Sequence, residues 1–469
     1  MKSLSIKFGV ILIGLAIFAY AEVWGEDWKL LPPPPSPSPK GDMVINDFKV
    51  YPVADIPKPA KGVQFDDPVF HTKITRVIDS MAETGSRMTY AGWCRHDAEN
   101  ADGTMFWAKT AGKTPIRQLW NAKPPYDRVG LPAIDSATTA MLYKIAGDID
   151  PDMRWHHSKP NILYATTKSQ FVKYDVSAKT VMVLHDFLTE FPTLPIARVI
   201  AKEGGNPSAD SRYWAWAIRC YDVNHSPSWW DAAYVVYDKD FYGEDNGKVI
   251  ATLLDSDPKY VLNSFVGMSP SGNYVLIDGT KKMSVFRRDF SSRMDIPCDI
   301  TVHAFPGVGY DDHGRETIVW VEAYQGAYWV AMADIMTGEK FYLVPFGKSP
   351  MFNASAICFE KPGWAVLTRD KVMGMDQTYD SEVIIVELTR RISPPAHFWR
   401  VAHTHVVNDG NHINDGFAKF NKKGTKIFFR SSWNEPYGTA GIMDTYQIDL
   451  PTDWEKTLLG RVEPPPLIN

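Results

Sequence analysis

The amino-acid sequence predicts an all-β protein built from seven similar units. Short apolar or aromatic segments recur from about residue 70 to residue 455, and each follows a tight turn that contains Gly, Asn, Asp or Ser. The units recur about every 40 to 50 residues, which suits a unit of four strands. Apolar residues at helical spacing are confined to short stretches. The chain therefore contains one repeated β unit.

Seven turn-and-strand segments define the units. They are residues 100–109, 158–166, 208–218, 269–278, 311–321, 360–368 and 421–431. An all-β chain with seven such units is most economically a closed ring, so we predict a seven-bladed β-propeller over residues 70–455. The strand of residues 71–79 is expected to complete the last blade, so that the ring is closed by an N-terminal strand.

Both ends of the chain lie outside the predicted propeller. Lys2 and Lys7 flank the start of the apolar run of residues 8–20, and small residues at positions 19 and 21 suit cleavage, so residues 1–21 read as a secretory signal peptide. Residues 22–69 form a Pro-rich extension and linker, and residues 456–469 form a C-terminal tail. We expect a secreted, periplasmic or extracellular protein with no integral membrane segment after signal removal.

Composition narrows the classes of partner. The formal net charge of −5 becomes −7 without the two lysines of the signal, and the remaining Lys and Arg are scattered, so nucleic acid is not expected as a partner. The four cysteines are widely spaced and contain no Cys-x-x-Cys, which disfavours zinc bound by thiolates. One disulfide or none is expected, and a divalent metal is the one cofactor that the sequence suggests.

Two segments carry a resemblance to known propellers. SPSGNYVLI, from Ser269, and FNKKGTKIFFRSSW, from Phe420, resemble the blades of TolB-type and WD-repeat-like propellers, in which the inner strand follows a Ser-Pro-Asp-Gly or similar turn. The resemblance covers most of the chain from Phe70 to Asp453. It implies the fold and leaves the activity open, because propellers serve as scaffolds, binders and enzymes.

The last blade also resembles that of secreted lyases of the oligogalacturonate lyase type. The shared features are His403, a polar loop, the FNKKGTKIFFRS segment and the IDLP sequence that ends at Pro451. That family binds a divalent metal through a His-x-His pair just before the Phe of this blade. Asp415 and Phe417 stand at the matching positions here, so the family's pair is absent.

A separate metal site is predicted from HTHVVNDGNHINDG, residues 403–416. His403 and His405 are two residues apart, so on a strand their side chains would point the same way and could bind one ion. His412 and Asp415 could add ligands from the loop. The alternative is that His403 and His405 are solvated or hydrogen-bonded side chains near a strand edge.

Polar residues ahead of the blade turns form a second group of candidates, because loops that enter the innermost strands gather around the channel of a propeller. In a β-elimination on a uronic acid, Arg95 or Arg154 could stabilise the developing charge, and His96, His156 or Tyr310 could transfer the proton. The alternative is that these side chains bond the backbone and carboxylates of neighbouring blades.

Ligand contacts are expected from histidines and from exposed aromatic rings. The insertion SPSWWDAAY, residues 226–234, could present Trp229 or Trp230 to a sugar ring, whereas most other tryptophans suit packing between blades. The full set of ligand-binding candidates is His157, Trp229, Trp230, His403 and His405.

Three functions follow from these features. The leading hypothesis is an exported binding module for a glycan, acidic or neutral, or for a protein partner. The second is a polysaccharide lyase that acts on uronic-acid-containing oligosaccharides by β-elimination. The third is a subunit of an extracellular assembly, with contacts made by blade edges or the Pro-rich arm.

Overall fold

The computed structural model describes residues 49–92, 97, 99–110, 117–129, 153–201, 204–261, 265–279, 281–298, 307–345, 352–357, 361–369, 371–372, 379–390, 396–408, 415–435, 441–451 and 453–459. The candidates Arg95, His96 and His412 lie outside these ranges, as do the signal segment and the Pro-rich run. Within these ranges, no helix has the length and apolar character needed to span a membrane.

The described strands, numbered in chain order, form seven main sheets. The chain begins with β1 (Gln64–Asp66) and β2 (Lys73–Ile78). Blade 1 contains β3 (Thr89–Tyr90), β4 (Met105–Thr110) and β5 (Arg117–Asn121). Blade 2 contains β6 (Arg154–Trp155), β7 (Ile162–Thr167), β8 (Gln170–Asp175) and β9 (Thr180–Asp186). Blade 3 contains β10 (Ile196–Ile200), β11 (Tyr213–Tyr221), β12 (Trp229–Asp238) and β13 (Lys248–Leu254).

The remaining blades follow the same antiparallel order. Blade 4 contains β14 (Val266–Met268), β15 (Tyr274–Gly279), β16 (Lys282–Arg287) and β17 (Arg293–Pro297). Blade 5 contains β18 (Gly307–Tyr310), β19 (Glu316–Tyr324), β20 (Ala327–Asp334) and β21 (Lys340–Pro345). Blade 6 contains β22 (Phe352–Ile357), β23 (Trp364–Arg369), β25 (Glu382–Glu387) and β26 (Phe398–His403), while β24 (Lys371–Val372) and β27 (Val407–Asn408) pair in parallel beside it.

Blade 7 combines strands from both ends of the described chain. Its sheet has the order β28 (Lys419–Phe420), β29 (Lys426–Ser431), β30 (Asp444–Asp449), β2 and β1. β2 runs antiparallel to β30, with Ile74 opposite Ile448. The helices among the described residues are short: α1 (Ser80–Thr84), α2 (Trp454–Leu459) and a 3₁₀ turn at Phe187–Thr189. The N-terminal strand β2 thus occupies the fourth position in the last sheet.

A recurrent turn explains where the second strand of several blades begins. Asn100 accepts hydrogen bonds through Oδ1 from the amides of Thr104 and Met105, at 2.9 and 3.0 Å. Asn421 accepts the equivalent bonds at the start of β29. Three residues after each asparagine is a glycine with positive φ, 72° at Gly103 and 61° at Gly424, where a residue with a Cβ is disfavoured. The sequence turns are therefore the hairpins that start the second strands.

Seven clusters of buried apolar side chains lie between sheets, one for each pair of neighbours. Strand β11 illustrates the pattern, since Trp214 and Trp216 pack towards blade 2 and Ala215 packs towards blade 4. Successive side chains of a strand point to opposite faces, so each sheet contributes to two clusters. Between blades 7 and 1, the rings of Phe428 and Phe106 are 5.3 Å apart. Seven interfaces for seven sheets confirm the predicted all-β, seven-bladed propeller.

The innermost strands approach each other closely. A Cβ at Gly205, which follows β10, would lie 1.7 Å from the carbonyl oxygen of Val266 at the start of β14, so only glycine fits there. Trp107, Trp214, Trp216 and Trp320 are buried, as the sequence predicts, and Trp329 is partly exposed. Cys220 and Cys298 are buried. The core is thus divided among blade interfaces.

Strand direction defines two ends for each blade. The first strand starts at what we call the leading end, where the second strand ends and the third begins. The first strand ends at the trailing end, where it turns into the second. Because the strands of each blade are antiparallel, the fourth strand also ends at the leading end. These two ends locate every candidate residue below.

Candidate functional site

His156 and His157 follow β6 at the trailing end of blade 2. The Nδ1 atom of His156 accepts hydrogen bonds from the amides of Ser158 and Lys159, at 3.0 and 3.2 Å. Burial, with a smaller contribution from His157, lowers the pKa of His156 to about 4, so the ring is neutral at pH 7. The two histidine rings stack with centroids 4.6 Å apart. One nitrogen of His156 is thus used to hold its own turn.

Arg154 braces the neighbouring inner strand. Its guanidinium donates to Asn206 Oδ1 through Nε at 2.9 Å and to the carbonyl oxygen of Gly205 through Nη2 at 2.6 Å. Both acceptors belong to the segment between β10 and β11 of blade 3, where Gly205 closely approaches β14 of blade 4. The alternative interpretation, that such side chains bond the neighbouring blade, describes these contacts of Arg154 well.

Tyr310 ends β18 at the trailing end of blade 5. Its carbonyl oxygen accepts a hydrogen bond from the amide of Gly363 in blade 6, at 3.0 Å. Burial raises the pKa of its phenol, with smaller contributions from Glu316 and Asp210. His156 and Tyr310 therefore lie at trailing ends, whereas His403 ends β26 and His405 follows it, at a leading end. The described candidates form two separate groups, and Arg95 and His96 lie outside the described residues.

Five buried residues form what we call the covered histidine cluster: Asp67, Glu382, Arg400, His403 and His405. At its centre, Arg400 donates to both carboxylate oxygens of Glu382, with 2.7 Å from Nε to Oε2. Glu382 starts β25 and Arg400 lies opposite the same strand in β26, so the sheet register brings the pair together. Burial raises the pKa of Glu382, and the Arg400 guanidinium opposes that change.

The two histidines contact different neighbours. The amide of His403 donates to Asp67 Oδ2 at 2.8 Å, and its Nε2 lies 3.3 Å from the carbonyl oxygen of Tyr51. His405 stacks on Trp433 with ring centroids 4.1 Å apart. Burial lowers the pKa of both imidazoles, that of His405 to about 4. Both rings are therefore neutral, packed side chains inside the protein.

An N-terminal segment covers this cluster. We call residues 49–63, which precede β1, the N-terminal strap. The Tyr51 ring lies 4.6 Å from the Arg400 guanidinium carbon, Trp433 Nε1 donates to the carbonyl oxygen of Ile56 at 3.0 Å, and Lys58 pairs with Asp444 at 2.5 Å. The strap thus passes from blade 6 to blade 7 and removes the cluster from solvent.

Backbone strain accompanies the cluster. His405, Phe417, Trp433 and Asn434 have φ values of 54°, 47°, 57° and 65°, in the left-handed region that bulky residues rarely adopt. The amide of Asn434 donates to the carbonyl oxygen of His405 at 2.7 Å, which ties two of these residues together. Strain of this kind, roughly 1–3 kcal/mol for each residue, persists only where surrounding contacts over-determine it.

The metal prediction stays a prediction. Among the described residues, no group of three His, Cys, Asp or Glu side chains is arranged to hold a metal ion. The Nε2 atom of His405 is buried with no hydrogen-bond partner in the described part of the chain. Asp415 is buried, and its carbonyl oxygen accepts a hydrogen bond from Arg430 Nε at 2.5 Å. His412, the other proposed ligand, lies outside the described residues.

The hairpin between β11 and β12 presents a very different set of side chains, at the leading end of blade 3. We call Arg198, Tyr221, His225, Trp229 and Trp230 the open aromatic group. Trp229 is 49% exposed and Tyr221 is 42% exposed, and their rings are 4.6 Å apart. The half-buried ring of Trp230 stacks on His225 at 3.8 Å. Large apolar rings are thus displayed to solvent.

Sheet register explains how the group is assembled. Tyr221 lies directly opposite Trp229, and two residues further into the sheet Arg219 lies opposite Asp231. Arg219 binds Asp231 through Nε at 2.8 Å, and Arg198 in β10 pairs with Arg219 on the other side. The sequence suggested Trp229 and Trp230, but Tyr221 and Arg198 were missed. The hairpin pattern could have indicated Tyr221, whereas Arg198 is placed by strand order in the sheet.

Comparison with known proteins identifies the fold. No protein-family model and no curated protein sequence matches the chain. Among solved structures, the oligogalacturonate lyase of Vibrio parahaemolyticus is 12% identical and has a TM-score of 0.51, over 84% of this chain and 100% of that one. A chain of a mitotic checkpoint complex is 11% identical with a TM-score of 0.42, over 86% and 99%. TolB of Acinetobacter baumannii is 12% identical with a TM-score of 0.30, over 63% and 67%.

At such identities a structural likeness concerns the fold and carries no activity with it. The seven sheets and their seven interfaces, together with the similarity in fold to the lyase, confirm the expectation of a β-propeller. This chain is therefore similar to propellers of that kind in architecture.

Proposed function

We propose that this protein is a glycan-binding propeller and that the open aromatic group of blade 3 is its binding surface. The observation that carries the proposal is the pair of adjacent, solvent-exposed rings of Trp229 and Tyr221. Aromatic rings offer large, rigid apolar faces, and exposing them to water is unfavourable unless a ligand uses them. The apolar faces of sugar rings fit such a surface.

Neighbouring residues support the proposal. Val223, in the turn of the same hairpin, is 70% exposed, so the apolar surface extends beyond the two rings. The two strands of the hairpin are 9 and 10 residues long, which carries the rings beyond the packed part of the blade. An exported location, proposed from residues 1–21, would bring such a surface to extracellular or periplasmic glycans.

Affinity electrophoresis of the folded protein in gels that contain single polysaccharides tests the proposal. We expect at least one polysaccharide of a panel to retard the protein, and Trp229→Ala to abolish the retardation because the stacking face is lost. Phe241→Ala is the matched control, since Phe241 is also an exposed aromatic of blade 3 but follows β12 at the trailing end. Equal retardation of wild type and Trp229→Ala would assign the rings to another partner, such as a protein.

The lyase alternative has its own test. Its candidates Arg154 and His156 are engaged in holding the fold, which weakens it, and Arg95 and His96 remain as predicted residues. An unsaturated uronate product absorbs in the ultraviolet, so digestion of acidic polysaccharides with and without added divalent metal or chelator would reveal it. A rise in absorbance that is lost in His96→Ala would favour the lyase. The assembly alternative predicts oligomers that disappear when residues 32–39 are replaced.

A further inference from the structure

We propose that the glycan bound by the open aromatic group carries an anionic group and that Arg198 binds it. This inference rests on the proposed function and names the class of glycan. The guanidinium carbon of Arg198 lies 5.6 Å from the ring centroid of Trp229, so a sugar stacked on Trp229 brings its substituents next to a cation. A carboxylate or sulfate is the complement of a guanidinium.

A row of three charged residues crosses blade 3 beneath the rings. Arg198 in β10 pairs with Arg219 in β11, and Arg219 pairs with Asp231 in β12. Tyr221 and Trp229 each lie two residues further along the strands that carry Arg219 and Asp231. Side chains two apart on a strand share a face, so the row and the rings face the same side of the sheet. Cation and rings thus form one surface.

Charge within the row is unevenly distributed. Asp231 is bound by Arg219 through both of its carboxylate oxygens, with 2.8 Å from Nε to Oδ1 and 3.4 Å from Nη2 to Oδ2. That pairing balances one guanidinium with one carboxylate. Arg198 adds a second guanidinium on the side of Arg219 that faces away from Asp231. The row therefore brings two guanidinium groups and one carboxylate to this face of the sheet.

The surroundings of Arg198 oppose its positive charge. Burial and the nearby Arg219 lower the pKa of Arg198 to about 10, and Asp231 acts in the opposite direction. The side chain still carries its proton at neutral pH, but at an electrostatic disadvantage. A ligand anion beside it would remove part of that disadvantage, which makes the site selective for acidic sugars.

A matched pair of ligands separates charge from sugar stacking. We would measure binding of the folded protein to polygalacturonate and to its fully methyl-esterified form by isothermal titration calorimetry, since the two differ in the charged group. We expect about tenfold tighter binding of the acidic form, which corresponds to about 1.4 kcal/mol. Arg198→Gln should remove this preference, and Arg198→Lys should restore part of it. Arg212→Gln is the matched control, because Arg212 pairs with Asp238 at the trailing end of the same blade.

The outcomes distinguish the two proposals. Equal binding of both polymers by the wild type, lost in Trp229→Ala, would overturn the acidic ligand and leave glycan binding in place. If neither polymer binds, the proposal of an anionic ligand is overturned. Glycan binding by the open aromatic group would still be supported if electrophoresis found a neutral glycan that binds. A preference for the acid that survives in Arg198→Gln would assign recognition of the anion to other residues.

Discussion

The covered histidine cluster and the open aromatic group lie towards the leading ends of their blades, and both combine histidine with arginine and have tryptophan rings in or beside them. They differ in what covers them. Trp433 beside the cluster is 4% exposed because the N-terminal strap and His405 pack on it, whereas Trp229 is 49% exposed. Residue types at the leading end therefore do not identify a ligand site. What identifies it is whether another segment of the chain already covers those side chains.

The largest loss of folding stability is expected from a substitution inside the covered histidine cluster. Arg400→Ala would leave the carboxylate of Glu382 buried without its bidentate partner, and breaking a buried ion pair costs about 3–5 kcal/mol. Urea unfolding followed by tryptophan fluorescence measures the loss. Lys73→Ala, which removes an exposed pair with Asp66, is the control and should cost less than about 1 kcal/mol. Equal losses in the two variants would contradict the distinction between covered and exposed charges.

The dependence of stability on pH sharpens the comparison. The pKa of His405 falls from 6.5 to about 4 on folding, so the unfolded chain binds more protons in that interval. The free energy of unfolding is therefore not reduced by His405 above pH 6.5. Between pH 6.5 and pH 4 this group lowers it by about 1.4 kcal/mol for each pH unit of acidification. His405→Asn should reduce the slope, and asparagine tolerates the positive φ. His225→Asn, in the exposed hairpin, should leave it unchanged, and equal slopes in both variants would exclude His405 as the titrating group.

A smaller effect is expected at the strap itself. Lys58→Met removes the contacts with Asp444 and with the carbonyl oxygen of Ile442, at 2.5 and 3.2 Å, while Asp444 keeps Arg76 at 2.9 Å. We expect a loss of about 1.5 kcal/mol and faster chymotryptic cleavage next to Tyr51. Lys73→Met serves as the control for loss of a lysine. Cleavage at the wild-type rate would mean that Lys58 does not hold the strap.

The smallest loss of folding stability is expected from a substitution in the open aromatic group. Trp229→Ala should change the free energy of unfolding by no more than about 0.5 kcal/mol, because the ring is half exposed and its loss leaves no cavity. The measurement is again urea unfolding, with Phe241→Ala beside it. A loss of several kcal/mol would make Trp229 a packing residue and remove the reason to regard it as a ligand surface.

Local features made the blades predictable. Asn100 and Asn421 hold their turns through bonds to residues four and five positions later, so hairpins of this kind could be read directly from the sequence. Trp229 could be suggested because it lies in a polar insertion. The covered histidine cluster could not be predicted, since Asp67 and His403 are 336 residues apart and their contact depends on how the last blade is assembled. The expectation that His403 and His405 face a strand edge likewise could not include the strap that buries them.

The pairing of β2 with β30 has a consequence for the order of events during synthesis. Ile74 pairs with Ile448, and Lys58 forms an ion pair with Asp444. The early part of the chain therefore reaches its partners only after almost all of the polypeptide has been made. Closing so long a loop costs conformational entropy, and until then the edge of β2 is available to wrong partners. A chain that stops before Asp444 would therefore lack β30, the strand that joins β29 to β2 in the last blade, and would leave its own N-terminal strand as an aggregation-prone edge.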